Sequence, residues 1–209
     1  MQDAVYQLLS REMITEDPWR LDGNPFEQRR YDEMLRLSLS EGPISNALEV
    51  GCAAGAFTAK LAPHCQRLTV IDVLPRAIAR ARQRLKKRLH ITWIVSDVLE
   101  FSTKERFDLI VVAEVLYYLG GIPEIRAAVG SLVGLLAAGG HLVFGSAHDA
   151  NCRRWGHVAG AETAIDIFSE KLAEVDRLRC SGKSVNEECL LTRFRKSVSI
   201  SGCRGHRPF

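Results

Sequence analysis

Five apolar runs divide the first two thirds of the chain, at residues 47–50, 68–72, 91–95, 107–113 and 141–147. They are short and scarcely alternate, the pattern of strands buried on both faces of a parallel sheet. Between and before them, apolar positions recur at helical spacing. This predicts helices over 4–13, 24–39, 55–61 and 122–136, one whose inner face carries Ile78, Ala81 and Leu85, and one over 163–171. True alternation comes last, at 175–180 and 188–194 around Gly182, and predicts a hairpin of two closing strands. Gly and Pro punctuate where the pattern changes: Gly42-Pro43 ends a helix, Pro63 stops another, and Gly139-Gly140 separates 122–136 from the fifth strand. Asn24-Pro25-Phe26-Glu27 predicts a sharp helix start, with Asn24 as N-cap, Pro25 at the first helical position and Glu27 completing a capping-box-like pair.

Length and composition narrow this to one soluble α/β domain: 209 residues, 46% hydrophobic and 25% charged. A net charge of +3 is too small to imply a polyanionic partner. No apolar stretch reaches the length of a membrane span, and the first residues lack a secretion signal. The six cysteines include no C-x-x-C pair, which reads as reduced thiols in the cytoplasm. Arg76, Arg80, Arg84 and Arg88 form a basic stripe on one helix. Without interleaved aromatic residues it reads as a solvated outer face, and we expect no nucleic-acid partner.

The chemistry centres on Gly51-Cys52-Ala53-Ala54-Gly55, directly after the first strand. Small residues let the backbone turn tightly and bring N–H groups close to a ligand. The dinucleotide fingerprint G-x-G-x-x-G is absent, because Ala53 stands where its second glycine belongs. Asp72 closes the second strand about 20 residues on, where an acid accepts ribose hydroxyls. Asp97 followed by Val98 closes the third, placed to accept an adenine amino group and pack its ring. Ribose and adenine without a pyrophosphate mean an adenosine, and S-adenosylmethionine fits best.

The segments L-E-V-G-C-A-A-G, V-I-D-V, S-D-V-L-E-F and F-D-L-I-V-V-A-E-V-L-Y-Y-L together resemble the class I S-adenosylmethionine-dependent methyltransferases. The resemblance implies a Rossmann-like α/β fold: a seven-stranded, mostly parallel sheet with an antiparallel closing strand and helices on both faces. It implies that Glu49, Gly51, Cys52, Ala53 and Gly55 belong to the methionine-binding loop. Asp72 with Val73 would take the ribose and Asp97 with Val98 the adenine, while Ala113 and Glu114 would line the sulfonium. Arg30 and Tyr31 would face the glycine loop and hold the methionine carboxylate. Residues 1–42 would be a helical lid. Within it, Trp19 either lies against the sulfonium or the substrate or anchors its loop to the core.

The methyl acceptor must be sought beside the sulfonium. Glu114, Tyr117, Tyr118 and His157 are the candidate catalytic groups, able to orient an amine or take its proton. The glycine- and base-rich loop 145–162 adds His148, Arg153, Arg154, Trp155 and His157 as candidate acceptor contacts, with Trp19 and Arg20 opposite. His148, Cys152 and His157 match no common ligand spacing, so no metal is expected. P-W-R-L-D-G-N-P-F-E-Q-R-R-Y-D, A-E-V-L-Y-Y-L and C-L-L-T-R-F-R-K resemble the nodulation protein S family over residues 17–196. That implies N-methylation of the free amine of the non-reducing-end glucosamine in a chitooligosaccharide. A small-molecule O-methyltransferase and a non-catalytic cofactor-binding protein are the alternatives. An RNA methyltransferase is disfavoured, because no Asn/Asp-Pro-Pro-Tyr-type motif follows the fourth strand. The tail 197–209 is expected to be flexible.

Overall fold

The computed structural model describes residues 3–197, so the expectation for the tail lies, from residue 198 on, outside the described residues. The apolar runs become β1 (Ile44–Val50), β2 (Cys65–Asp72), β3 (Ile91–Val95), β4 (Phe107–Ala113) and β5 (Leu136–Ala147). The two alternating runs become β6 (Ala173–Ser181) and β7 (Glu188–Arg195). One sheet results, in the order β3-β2-β1-β4-β5-β7-β6. The first five strands are parallel, and β7 runs antiparallel to both its neighbours.

Burial on both faces follows from the period of two. Leu48, Val50, Ile110, Val112, Leu142 and Phe144 point into one core. Ala47, Leu109, Val111 and Val143 point into the other. Helices α5 (Ile122–Leu135) and α7 (Ala161–Ser169) cover the first face with Ile125, Val129, Ile165 and Phe168. Helices α2 (Pro25–Ser38), α3 (Ala56–Leu61) and α4 (Pro75–Arg84) cover the second with Met34, Leu37, Phe57, Ile78 and Ala81. Phe144, Phe168 and Phe194 stack in series, with ring centroids 5.4 and 5.3 Å apart. Each such pair contributes about 0.5–1.5 kcal/mol beyond its buried area.

Three local readings are corrected. The stretch Gly139-Gly140 does not precede β5 but lies inside it, where the register with β4 shifts between Phe107 and Leu109. A Cβ on Gly140 would come within 3.0 Å of the Phe107 carbonyl oxygen, so the glycine admits a bulge rather than marking a break. Loop 145–162 begins only after Ala147 and contains a short helix, α6 (Asp149–Arg154). At the start of α2, Asn24 Oδ1 accepts from Phe26 N at 2.8 Å as expected, but the Glu27 carboxylate pairs with Arg30 instead of completing a capping box.

The arginine face of α4 is not merely solvated. Arg80 donates to the carbonyl oxygens of Ile14, Thr15 and Glu16, and Arg84 makes a two-pronged pair with Asp22 at 2.6 and 2.9 Å. Two of the four arginines therefore tie down the segment between α1 (Asp3–Glu12) and α2, and Arg88, expected on the same helix, lies beyond its end at Arg84.

Gly55 shows how a small residue sets helix position. Its φ is +78°, and a Cβ there would meet Ala81 Cβ at 2.9 Å and the Ala81 backbone at 3.0 Å. Gly55→Ala should destabilise the fold by about 1–3 kcal/mol through backbone strain and the clash with α4. Urea unfolding measures this, and an unchanged midpoint would contradict the packing role.

Candidate active site

Strand order reverses between β1 and β4, and α/β sheets bind ligands in the crevice outside the carboxyl ends of strands at such a point. A cavity of about 560 Å³ opens there. Its floor is the glycine loop and the ends of β2 and β4, and its roof is α1, Trp19 and α2. Its size suits a nucleoside-sized ligand.

The glycine loop is built on Asp72. Cys52 N and Ala53 N donate to Asp72 Oδ2 at 2.9 and 3.1 Å, and Leu74 N donates to Oδ1 at 2.9 Å. Burial pushes the Asp72 carboxyl up, and these three amides oppose it. The loop needs left-handed backbone at Gly51 (φ +79°) and Ala53 (φ +47°). A Cβ on Gly51 would lie 2.3 Å from Val115 Cγ2, so the loop and the end of β4 interlock only with glycine there. Val73, Asp97 and Val98 complete the floor, and Asp97 Oδ1 accepts from Leu99 N at 2.9 Å.

Glu49 is the unusual acid of this wall. It is 3% exposed, and its Oε2 has no hydrogen-bond partner. Burial pushes its carboxyl up to about 8, with the Thr58 hydroxyl opposing and the Asp72 charge adding to the rise. A buried acid with an unsatisfied oxygen on a ligand-sized cavity suits an ammonium group, so these residues fit an amino-acid-bearing adenosine. The sign of the linkage follows. The folded pKa is raised above the unfolded one, so ionisation opposes folding, and stability falls as pH rises from about 4.5 towards 8. Glu49→Gln should therefore stabilise the ligand-free protein at pH 8 and change it little at pH 4. Thermal melts at the two pH values test this, and equal shifts would contradict a buried, protonated Glu49.

Glu114 stands at the end of β4 with φ +54°, a left-handed conformation costly for a side-chain-bearing residue. Its N–H donates to Gly145 O at 2.9 Å, which fixes it against β5. One carboxylate oxygen accepts from Arg30 Nη1 at 2.8 Å, and the other from Ala147 N at 3.3 Å. Arg30 is 3% exposed and is shared between Glu114 and Glu27. Burial pushes the Glu114 carboxyl up, and the Arg30 charge pulls it back. Arg30 and Tyr31 reach the cavity as expected, but here the guanidinium is already paired with two carboxylates.

An aromatic cluster faces Glu114. The Tyr117 ring lies 4.4 Å from Tyr118, 4.9 Å from His157 and 6.4 Å, edge-on, from Trp155. Tyr117 is buried and Trp155 is 43% exposed, so the cluster grades from wall to rim. Burial pushes the Tyr118 phenol up to about 12 and the Tyr117 phenol upward, so both remain proton donors at neutral pH. Burial lowers His157, which keeps the imidazole neutral. Trp19 reaches the same cavity, and its Nε1 donates to Glu12 Oε2 at 3.1 Å.

Five expected residues do not reach the cavity wall. Arg20 is exposed. Gly55 packs on α4. His148 turns to Glu162, its Nδ1 2.6 Å from Oε1. Arg153 pairs with Asp149 on its own helix, and Arg154 hydrogen-bonds Asn151. Loop residues following a strand were expected to converge, but α6 points its basic side outward. The Cys152 thiol donates to Ala147 O. Among the described residues no cluster of acids, cysteines and histidines is arranged to hold a metal ion. Glu12, Glu27, Asn186, Glu188 and Cys189, which no sequence motif marks, also line the cavity. The last three arrive because β7 runs antiparallel and so begins at the carboxyl end of the sheet.

Comparison with known proteins agrees with this geometry. The sequence pattern of the family described as Nodulation protein S (NodS) matches residues 1–201. Nodulation protein S of Rhizobium tropici is 69% identical over 196 residues, covering 94% of this chain and 82% of that protein. The crystal structure of N-methyltransferase NodS from Bradyrhizobium japonicum WM9 in complex with S-adenosyl-L-homocysteine is 64% identical. It superposes with a TM-score of 0.91 over 93% of this chain and 99% of that one. Magnesium protoporphyrin IX methyltransferase from Synechocystis PCC 6803 with bound S-adenosyl-L-homocysteine is 16% identical at a TM-score of 0.74, covering 92% of this chain and 100% of that one. That second likeness is one of fold alone.

Proposed function

The chain belongs to the nodulation protein S family, and on that premise we propose that it methylates the free amine of the non-reducing-end glucosamine of a deacetylated chitooligosaccharide. It is an S-adenosylmethionine-dependent N-methyltransferase of nodulation. The observation that carries the amine is the charge of the cavity. Glu12, Glu27, Asp72, Asp97, Glu114 and Glu188 line it beside the protonated Glu49, and among the described residues Arg30 is the only arginine or lysine on its wall. Such a wall attracts cations, both a sulfonium and a protonated amine, and repels polyanions. The reading places the reaction in the cytoplasm, and among the described residues no helix is long and apolar enough to cross a membrane.

S-adenosylmethionine, when bound, supplies an electrophilic methyl group on a sulfonium. The residues of this chain do the rest. Glu49 holds the ammonium of the amino-acid end, while Asp72, with the glycine loop shaped around it, and Asp97 hold the ribose and adenine. Glu114 binds the acceptor ammonium and takes its proton, which frees the lone pair. Tyr117 and Tyr118 donate hydrogen bonds to the sugar, and Trp155 offers its exposed face to the ring. Trp19 and α1 act as a cover that excludes water. Arg153, Arg154, His148 and Arg20 lie outside the cavity, so the acceptor's later sugars are left to them.

Two kinetic signs test the reading. With a chitosan oligomer as acceptor, the rate should climb with pH through the amine's own titration, since the ammonium has no lone pair. Trp155→Ala should raise the acceptor KM about tenfold while S-adenosyl-L-homocysteine binding stays nearly constant. A flat pH profile, or equal losses in both affinities, would count against it.

A further inference from the structure

Cys180 on β6 and Cys189 on β7 are directly opposite partners in the antiparallel ladder. Residues so paired have Cα atoms about 4.5–5.5 Å apart, inside the span of about 4.4–6.8 Å that a disulfide bridges. Both thiols are free, and they lie close enough to act on one another's titration. We propose that Cys180 and Cys189 form an oxidisable dithiol whose disulfide stitches edge strand β6 to β7 at the wall of the methyl-transfer cavity.

The two thiols are unequal in a way that suits attack and resolution. Cys180 is half-buried on an edge strand, where a small oxidant reaches it. Its thiol is drawn down to about 7, first by the neighbouring Cys189 thiol, against burial, with Arg30 and Arg29 adding attraction. Cys189 is 1% exposed, and the neighbouring Cys180 thiol together with burial pushes its thiol up. A partly ionised, reachable thiol beside a sheltered second one is the arrangement of redox-responsive cysteine pairs.

Hydrogen peroxide is the oxidant in the proposed step. The Cys180 thiolate attacks one peroxide oxygen, the O–O bond breaks, and the sulfenic acid forms with release of water. The Cys189 sulfur then attacks the Cys180 sulfur, the S–O bond breaks, and a second water leaves. Two thiols lose two electrons and two protons, and one peroxide becomes two waters. Cys189 lines the cavity and feels the charges of Arg30 and Glu114. The bond therefore fixes the strand end that also carries Glu188 into the site. Cys52, Cys65 and Cys152 are buried, and burial pushes each thiol up, so they should oxidise later.

The full-length reduced protein supplies the test. It is treated with hydrogen peroxide, alkylated, and digested with trypsin. Cleavage after Arg179, Lys183 and Arg193 puts Cys180 and Cys189 on separate peptides, 180–183 and 184–193. The expected product is those two peptides joined, lighter than their sum by two hydrogens, and parted again by dithiothreitol. Cys180→Ser and Cys189→Ser should each abolish it. Both peptides alkylated as in untreated protein would overturn the proposal. So would a sulfinic acid on Cys180 with Cys189 still alkylatable, or a cross-link from Cys180 to any other cysteine.

Discussion

Glu114→Gln should lower kcat/KM for an amine acceptor by about a hundredfold to ten-thousandfold, the usual worth of a positioned proton acceptor. Glutamine keeps the shape of the side chain and can still accept from Ala147 N or Arg30, so the wall should survive. What it loses is the charge that binds the ammonium and the basicity that deprotonates it. The left-handed backbone at Glu114 is held by Gly145 O and does not depend on the carboxylate. Affinity for S-adenosyl-L-homocysteine should therefore change little, and the loss should fall mainly on kcat. Steady-state kinetics beside calorimetry separate the two. Wild-type turnover in Glu114→Gln would remove Glu114 from the proton path and leave His157 as the group to test.

The second large effect is on the cofactor. Asp72→Ala should weaken S-adenosyl-L-homocysteine binding by about 1.5–3 kcal/mol, or about ten- to a hundred-and-fiftyfold in Kd. Asp72 has two tasks. It accepts the amides of Cys52, Ala53 and Leu74, which shapes the glycine loop, and it offers charge at the cavity floor. Alanine removes both; Asp72→Asn keeps an acceptor oxygen and removes the charge. An intermediate affinity for Asn would apportion the effect between loop shape and charge. Unfolding in urea should show the Ala variant still folded, since it also removes a buried charge whose carboxyl burial pushes up. Unchanged affinity in a folded Asp72→Ala protein would take Asp72 out of the site.

Local pattern carried the fold far. The apolar runs marked all five parallel strands, and the closing hairpin marked β6 and β7, although β7, inserted between β5 and β6, is buried along nearly its whole length while β6 is the exposed edge. What failed was local: Gly139-Gly140 looks like a break in sequence, and only pairing with β4 makes it a bulge. The floor of the cavity was legible because it sits at strand ends, which sequence order fixes. Its walls were not. Glu27 reads as a cap in sequence, yet it pairs with Arg30, which Glu114 also holds from 84 residues further along the chain. Glu188 and Cys189 enter only through the antiparallel insertion of β7 between β5 and β6. Arg153 and Arg154 were drawn towards the acceptor by composition, yet a short helix turns them outward to Asp149 and Asn151.

The most direct measurement is transfer from labelled S-adenosylmethionine to three acceptors side by side: deacetylated chitooligosaccharide, its fully acetylated counterpart, and RNA. The account predicts label in the deacetylated oligomer alone, on the nitrogen of the non-reducing-end sugar. Equal labelling of the acetylated oligomer would contradict the amine assignment, and label in RNA but in neither sugar would contradict the proposed acceptor altogether.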